Sequence, residues 1–330
     1  MIWLTWRQFR TQAVLAAAAF AVAATYLLIL GANIRSDYDT NLAGCIAGGC
    51  ASAVVTVFEG RYEAVLLVTN LVVMALPGVL GVFWGAPLIS GELAAGTHRL
   101  AWHQSVTRTR WLTVKLLVVG LSAVAFTGLL GLLLSWSAGR YDAVKADRFT
   151  SVVFGAHDIV PFAHAAFAFT LGVATGLLLR RPIAAMGLTL ALFAAVQILV
   201  PTTLRPHYLT PHTATVHLDG PALHHADGIL VDGSRFIVSG ISVPDAWVVS
   251  TSQVLDAAGQ PAGEAMVQEC MTPGFDATLD CLARKDLHVT ATYHPNGRYW
   301  PFQWIETALY LAATALLTGL CYWLLRRRTG

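Results

Sequence analysis

Residues 159–203, IVPFAHAAFAFTLGVATGLLLRRPIAAMGLTLALFAAVQILVPTT, read as two membrane-crossing helices set back to back, 159–179 and 183–203, with only Arg180, Arg181 and Pro182 between them. Each matches the roughly 20 mostly apolar residues that carry an α-helix across about 30 Å of hydrocarbon. Four further stretches reach the same length: 13–31, 64–88, 112–136 and 305–325. The expected fold is therefore an all-α membrane protein with six transmembrane helices. Composition agrees, because 56% of the 330 residues are hydrophobic and only 12% are charged, against about 25% charged in ordinary soluble chains. Mean hydropathy is +0.60.

The charges then give an orientation. Segments 1–12, 89–115, 180–182 and 326–330 carry 11 Arg/Lys and a single acid, Glu92, while the rest of the chain holds 10 basic residues and 18 acids. Short basic loops stay in the cytoplasm, so both termini are expected there, in a multi-pass protein of the plasma membrane. The formal net charge of only +2 speaks against a nucleic-acid partner. Lysine occurs three times, at Lys115, Lys145 and Lys285, and never follows glycine. A phosphate-cradling loop ending in Gly-Lys-Ser/Thr is thus missing, so nucleotide energy must come from a partner.

Residues 1–12, MIWLTWRQFRTQ, interleave Trp3, Trp6 and Phe9 with Arg7 and Arg10 and suit a short cytoplasmic interfacial helix, or a simple basic flank of the first span. Between spans five and six, residues 204–304 turn rich in Asp, His, Gly, Pro and Thr, with β-branched runs at Phe236-Ile237-Val238 and Trp247-Val248-Val249. They are expected to form a strand-rich extracellular domain, and 32–62 and 138–158 to form smaller outer segments. Cys45 with Cys50 and Cys270 with Cys281 read as two local disulfides on an oxidising face; free thiols or cross-pairing are the alternatives. Cys321 reads as a small apolar helix residue.

Five histidines, His207, His212, His217, His224 and His225, crowd the start of that domain. Their intervals fit neither one helix face nor one strand face, prolines interrupt them, and no Cys-x-x-Cys or His-Glu-x-x-His accompanies them, so they read as solvated loop residues and not as a metal site. His164, near the outer end of span four, reads as a packing residue, or as one that hydrogen-bonds a neighbouring helix or lines a cavity. No catalytic residue is expected: there is no Gly-x-Ser-x-Gly elbow, and Glu63, Asp158 and Glu306 sit at outer span ends, where a carboxylate reaches water.

The longest connection on the basic side is 87–115, PLISGELAAGTHRLAWHQSVTRTRWLTVK. Glu92 to Ala95 continue span two, Gly96-Thr97 break it, Leu100, Trp102 and Val106 offer an apolar strip, and Thr107 to Arg110 open span three. A short amphipathic helix that meets a cytoplasmic partner, or lies on lipid, is the natural product. Glu92 would pair with a cation on that partner or cap the helix.

An acid, three residues, Gly-Thr, an apolar turn, Ser-x-x-Arg and a lysine, here Glu92, Gly96, Thr97, Ser105, Arg108 and Lys115, resemble the coupling segment of exporter-type ABC permeases. The resemblance narrows to actinobacterial ABC transporter permeases, with an ABCG-like transmembrane fold, through Trp3-Leu4-Thr5-Trp6-Arg7-Gln8-Phe9-Arg10, Gly96-Thr97-His98-Arg99-Leu100-Ala101-Trp102, Ser105 to Trp111, Arg205-Pro206-His207-Tyr208, Tyr293-His294-Pro295 and Arg298 to Thr307. It implies a permease half that dimerises to twelve spans and exports a substrate, driven by two copies of a separate ABC ATPase. That ATPase would bind ATP and Mg, leaving no cofactor in this chain. The ATPase would dock on 89–111, with Glu92, Gly96, Thr97, His98, Arg99, Trp102, Ser105 and Arg108 as coupling residues. A ligand-sensing or structural membrane protein with an extracellular binding domain and a cytoplasmic partner is the alternative.

Overall fold

The structure is a computed structural model that describes residues 2–46, 52–96, 107–224, 228–232, 235–270 and 275–328. Among the described residues six helices are long and apolar enough to cross a membrane: Arg10–Asn41, Ala53–Ala95, Arg108–Lys145, Val160–Leu179, Pro182–His207 and Asn296–Arg327. The helical solution follows from the solvent, since hydrocarbon offers no partner to backbone N–H and C=O groups and each must be satisfied within its own segment.

The helices outrun the spans read from hydropathy. Span two holds 43 residues, about 65 Å at 1.5 Å per residue, roughly twice the hydrocarbon thickness. Among the described residues, the expected segment 32–62 is largely helical extension of spans one and two, while in 138–158 span three runs on to Lys145 and a separate short helix follows, Ser151–Ala156. Leu30, Ile34, Leu42, Phe58, Tyr62, Leu66, Ala138 and Tyr141 cluster there and keep the three extensions together. Asp37 accepts from both Arg61 (2.7 Å) and Tyr62 (2.6 Å), and Lys145 pairs with Glu63 at 2.6 Å. At the other end, residues 2–12 are the first turns of one unbroken helix, Ile2–Asn41, and not an interfacial helix set apart from span one. No glycine or proline interrupts that join, and the alanine-rich run after it favours continuation.

Span four is the centre of the bundle: 78% of its apolar window is buried, against 11% for span one. It lies backbone to backbone against span two. A side-chain carbon on Gly85 would stand 2.5 Å from the Phe169 carbonyl oxygen, and one on Gly176 would stand 2.6 Å from that of Ala86. Small residues at four-residue spacing, Gly81 and Gly85 facing Gly172 and Gly176, permit this approach, which in lipid replaces the missing hydrophobic drive with close packing. Span two reaches the contact through Pro77 and a π-helical turn at Gly81–Gly85.

The chain divides into two compact units, the helical bundle with residues 1–205 and 300–330, and an inserted domain, Pro206–Tyr299. The domain pairs β1 (His212–His217), β5 (His288–Pro295) and β4 (Ala246–Thr251) in an antiparallel sheet of order β1-β5-β4, and β2 (Gly228–Asp232) with β3 (Arg235–Ser239) in a separate two-stranded sheet. The two runs expected as strands lie in β3 and β4. Phe236, Val238, Val254, Leu279, Leu282, Leu287 and Val289 form its core with Cys270. Cys270 and Cys281 are bonded, with Cα atoms 5.4 Å apart. Cys50 and the proposed Cys45–Cys50 bond fall outside the described residues. Cys321 is a buried free thiol in span six.

Candidate functional site

The expected coupling segment is described only at its two feet. Span two ends at Ala95, and Gly96 turns the chain with φ of +71°, a left-handed backbone that costs glycine nothing and a bulkier residue roughly 1–2 kcal/mol. Thr97, His98, Arg99, Trp102, Ser105 and the amphipathic helix lie outside the described residues. The chain resumes at Thr107, whose hydroxyl accepts from Arg110 N–H (3.3 Å) and caps the helix that begins at Arg108.

Glu92 has a charged partner within the chain. Its carboxylate pairs with Lys115 of span three at 2.5 Å. The Lys115 side chain is 4% exposed, reaches the Leu88 carbonyl at 3.4 Å and lies 4.7 Å from the centre of the Trp111 ring. An ammonium stripped of water needs such neighbours, and Glu92 is the acid of the basic face that supplies the charge. Beneath the pair, Trp111, Leu112, Ile89, Leu177, Leu324 and Leu325 share one buried core. Thr113 and Tyr322 hydroxyls, 2.7 Å apart, join span three to span six. Both feet of 97–106 therefore rest on packed helix.

At the opposite end a second buried network ties spans four, five and six. Arg205 donates twice to Glu306, Nε to Oε2 and Nη2 to Oε1, both at 2.9 Å, with each side chain 1% exposed. Glu306 was expected to reach water at a span end. It faces the bundle because Arg205, in span five, offers the planar fork that a buried carboxylate matches. The guanidinium also lies 4.1 Å from the Phe154 ring centre and donates to Phe149 O. His164 both packs and hydrogen-bonds a neighbouring helix: its ring sits 4.3 Å from that of Tyr310, Nδ1 is 3.3 Å from Gln197 Nε2 of span five, and Nε2 is 3.7 Å from Glu306. Tyr310 donates to Gln197 at 2.6 Å, and Gln303 Nε2 donates to Phe154 O. Nearby, His157 is wedged between Asn70 (2.9 Å) and Asp142 (3.4 Å), and burial pushes its imidazole down to about 4, so it stays neutral.

Residues 17–205 of this helical bundle are matched by the family model described as ABC-2 membrane transporter related. The chain belongs to that family. It is a membrane permease of an ABC transporter, a component without an ATPase site of its own. No curated protein and no solved structure matches it. The match spans the first five helices and ends on Arg205, so the inserted domain and span six of this permease lie beyond it.

Sequence reasoning missed two features of the permease. The Arg205–Glu306 clamp had a signal: two ionisable residues in apolar helices on either side of one insertion, which need each other at membrane depth. The span two–span four contact had another, glycine at four-residue spacing in both helices. Among the described residues no group of three or more His, Cys, Asp or Glu side chains forms a metal shell.

Proposed function

We propose that the permease is one half of an exporter. Two copies assemble to twelve spans, and two copies of a separate ATPase dock on the 89–111 segments and push on them. In this reading the termini and the 97–106 loop are cytoplasmic, the inserted domain faces outward, and ATP and Mg belong to the ATPase. The 11-to-1 excess of basic over acidic residues in the four basic-side segments supports the orientation.

The observation that carries the coupling is the Glu92–Lys115 pair. A push is transmitted only through a stiff contact, and this pair joins the end of span two to the start of span three, the two helices that residues 97–106 connect. A force on 97–106 would then move two spans together, and the glycine contact would pass the motion to span four. Trp102 and Arg99 are the coupling anchors, since large rings and arginines carry interface energy.

Affinity purification from native membranes should recover an ABC ATPase with the permease, and Trp102→Ala should lower its recovery or its substrate-stimulated turnover while leaving membrane insertion unchanged. Full recovery and turnover in Trp102→Ala would remove the segment from the mechanism. In spheroplasts an impermeant maleimide should label a cysteine placed at Ser234 and spare one placed at Ser105; the reverse pattern would invert the topology.

A further inference from the structure

Along the chain His217 has no partner at metal-ligand spacing, but the sheet supplies one across strands. His217 on β1 and His288 on β5 stand directly opposite each other. The neighbouring residues carry the ladder bonds: Leu218 N–H donates to Leu287 O at 2.8 Å, while His288 exchanges both of its backbone bonds with Leu255 on its other side (2.8 and 2.9 Å). The histidines therefore occupy a non-hydrogen-bonded pair, the position where opposed Cα atoms approach to about 4.5 Å and side chains come closest. Leu218, Leu287 and Val289 beside them are buried, so by strand alternation both imidazoles share the open face. Their ring centres are 6.1 Å apart. Asp286, two residues before His288, places a carboxylate oxygen 3.6 Å from His217 Nδ1, and the His217 and Asp286 side chains are about 70% exposed to solvent.

We propose that His217 and His288 form a two-imidazole site for a divalent transition ion of the copper, nickel and zinc group, with Asp286 orienting the His217 ring. An ion taking bonds of about 2.0–2.1 Å from one nitrogen of each ring bridges a gap of this size. Imidazole selects these metals over magnesium and calcium, which prefer oxygen. A carboxylate facing Nδ1 leaves Nε2 of His217 to the ion and fixes the ring, the usual division of labour around a ligating histidine. The open face leaves the remaining coordination positions to water, so the site binds exchangeably and does not hold the fold together. Rigidity comes from the backbone, because His288 is held on one side by β1 and on the other by Leu255.

The test is a Cu2+ titration of the full-length permease in detergent, read by electron paramagnetic resonance. One ion per chain with two coordinated imidazole nitrogens is the expected result. His217→Ala and His288→Ala should each weaken binding about tenfold or more and reduce the nitrogen count, whereas His207→Ala should change neither. Excess Mg2+ should not displace the ion. Wild-type affinity in the His217→Ala, His288→Ala double variant, or a spectrum without imidazole nitrogens, would overturn the proposal. Recovery of the linked Cys270–Cys281 peptide reports that each variant has folded; should His288→Ala fail that check, His217→Ala, at an exposed position, decides the question alone.

Discussion

The two ends of the helical bundle each bury an ion pair, and the pairs are built for different work. Arg205 and Glu306 meet through a two-pronged fork, both 1% exposed, with Phe154, Phe149 and His164 around them. Lys115 and Glu92 meet through one contact, and the Glu92 side chain is 21% exposed. The first excludes water from both partners and fixes one geometry. The second leaves the acid a path to solvent, while Lys115, 4% exposed, depends on it and on the Leu88 carbonyl. The end that flanks the inserted domain is thus clamped, and the end that would receive an ATPase keeps a joint.

The largest effect that could break this comparison is at the clamp. Glu306→Ala strands the buried Arg205 guanidinium and should cost roughly 3–5 kcal/mol, read as a fall in the detergent melting temperature and in membrane yield. A cost near zero would mean that water reaches Arg205 and that the two ends are alike. Next is the covalent tie of the inserted domain. Cys270→Ser opens a loop with a sequence separation of 11 and should cost about 3 kcal/mol in the chain-entropy account, measured as earlier loss of Trp247 fluorescence in urea. That loss should leave the helical signal of the bundle unchanged, since the domain has its own core.

Glu92→Gln should be milder, roughly 1–3 kcal/mol, because Lys115 keeps the Leu88 carbonyl and gains nearby water. Its signature should be functional: ATPase still recovered, transport reduced. Equal destabilisation by Glu92→Gln and Glu306→Ala would erase the distinction between joint and clamp.

The smallest effect is a pH dependence in the inserted domain. His294 is buried, its Nε2 donates to the Pro206 carbonyl (3.1 Å), and its Nδ1 accepts from Arg298 (3.0 Å), which fixes the neutral ring. Burial lowers its affinity for a proton and the Arg298 charge adds to this, against the Pro206 carbonyl, which pulls the other way. A folded-state value below the unfolded one, about 6.5, means that the unfolded chain takes up the proton first. The contribution is present above that pH and is lost as pH falls below it. Urea midpoints of the domain should drop on acidification through this range and should drop less in His294→Gln.

The six spans were legible because the bilayer imposes a length and a composition that single-residue hydropathy measures directly. The 159–179 and 183–203 stretches fell within a few residues of the helices Val160–Leu179 and Pro182–His207. Strand runs at Phe236 and Trp247 and the Cys270–Cys281 bond were also readable, since local alternation and a short loop specify them. Helix ends were not: spans one to three run on past the stretches that hydropathy marks, where Phe58, Tyr62 and Tyr141 pack across helices, which no window along one helix can register.

What the sequence determined by itself was the class of molecule, its number of crossings, its charge asymmetry and its lack of a nucleotide-binding lysine, all of which are sums over local residues. Only the tertiary structure decided the partners. Glu306 was assigned to water and belongs to Arg205, about a hundred positions away; Glu92, read as a partner contact or a helix cap, also meets Lys115 of span three; His217 was one of a row of loop histidines and stands against His288. A charge or an imidazole is recognised by what lies within about 4 Å of it, and in each of these cases that neighbour is brought there by helix packing or strand register, quantities that no single stretch of sequence contains.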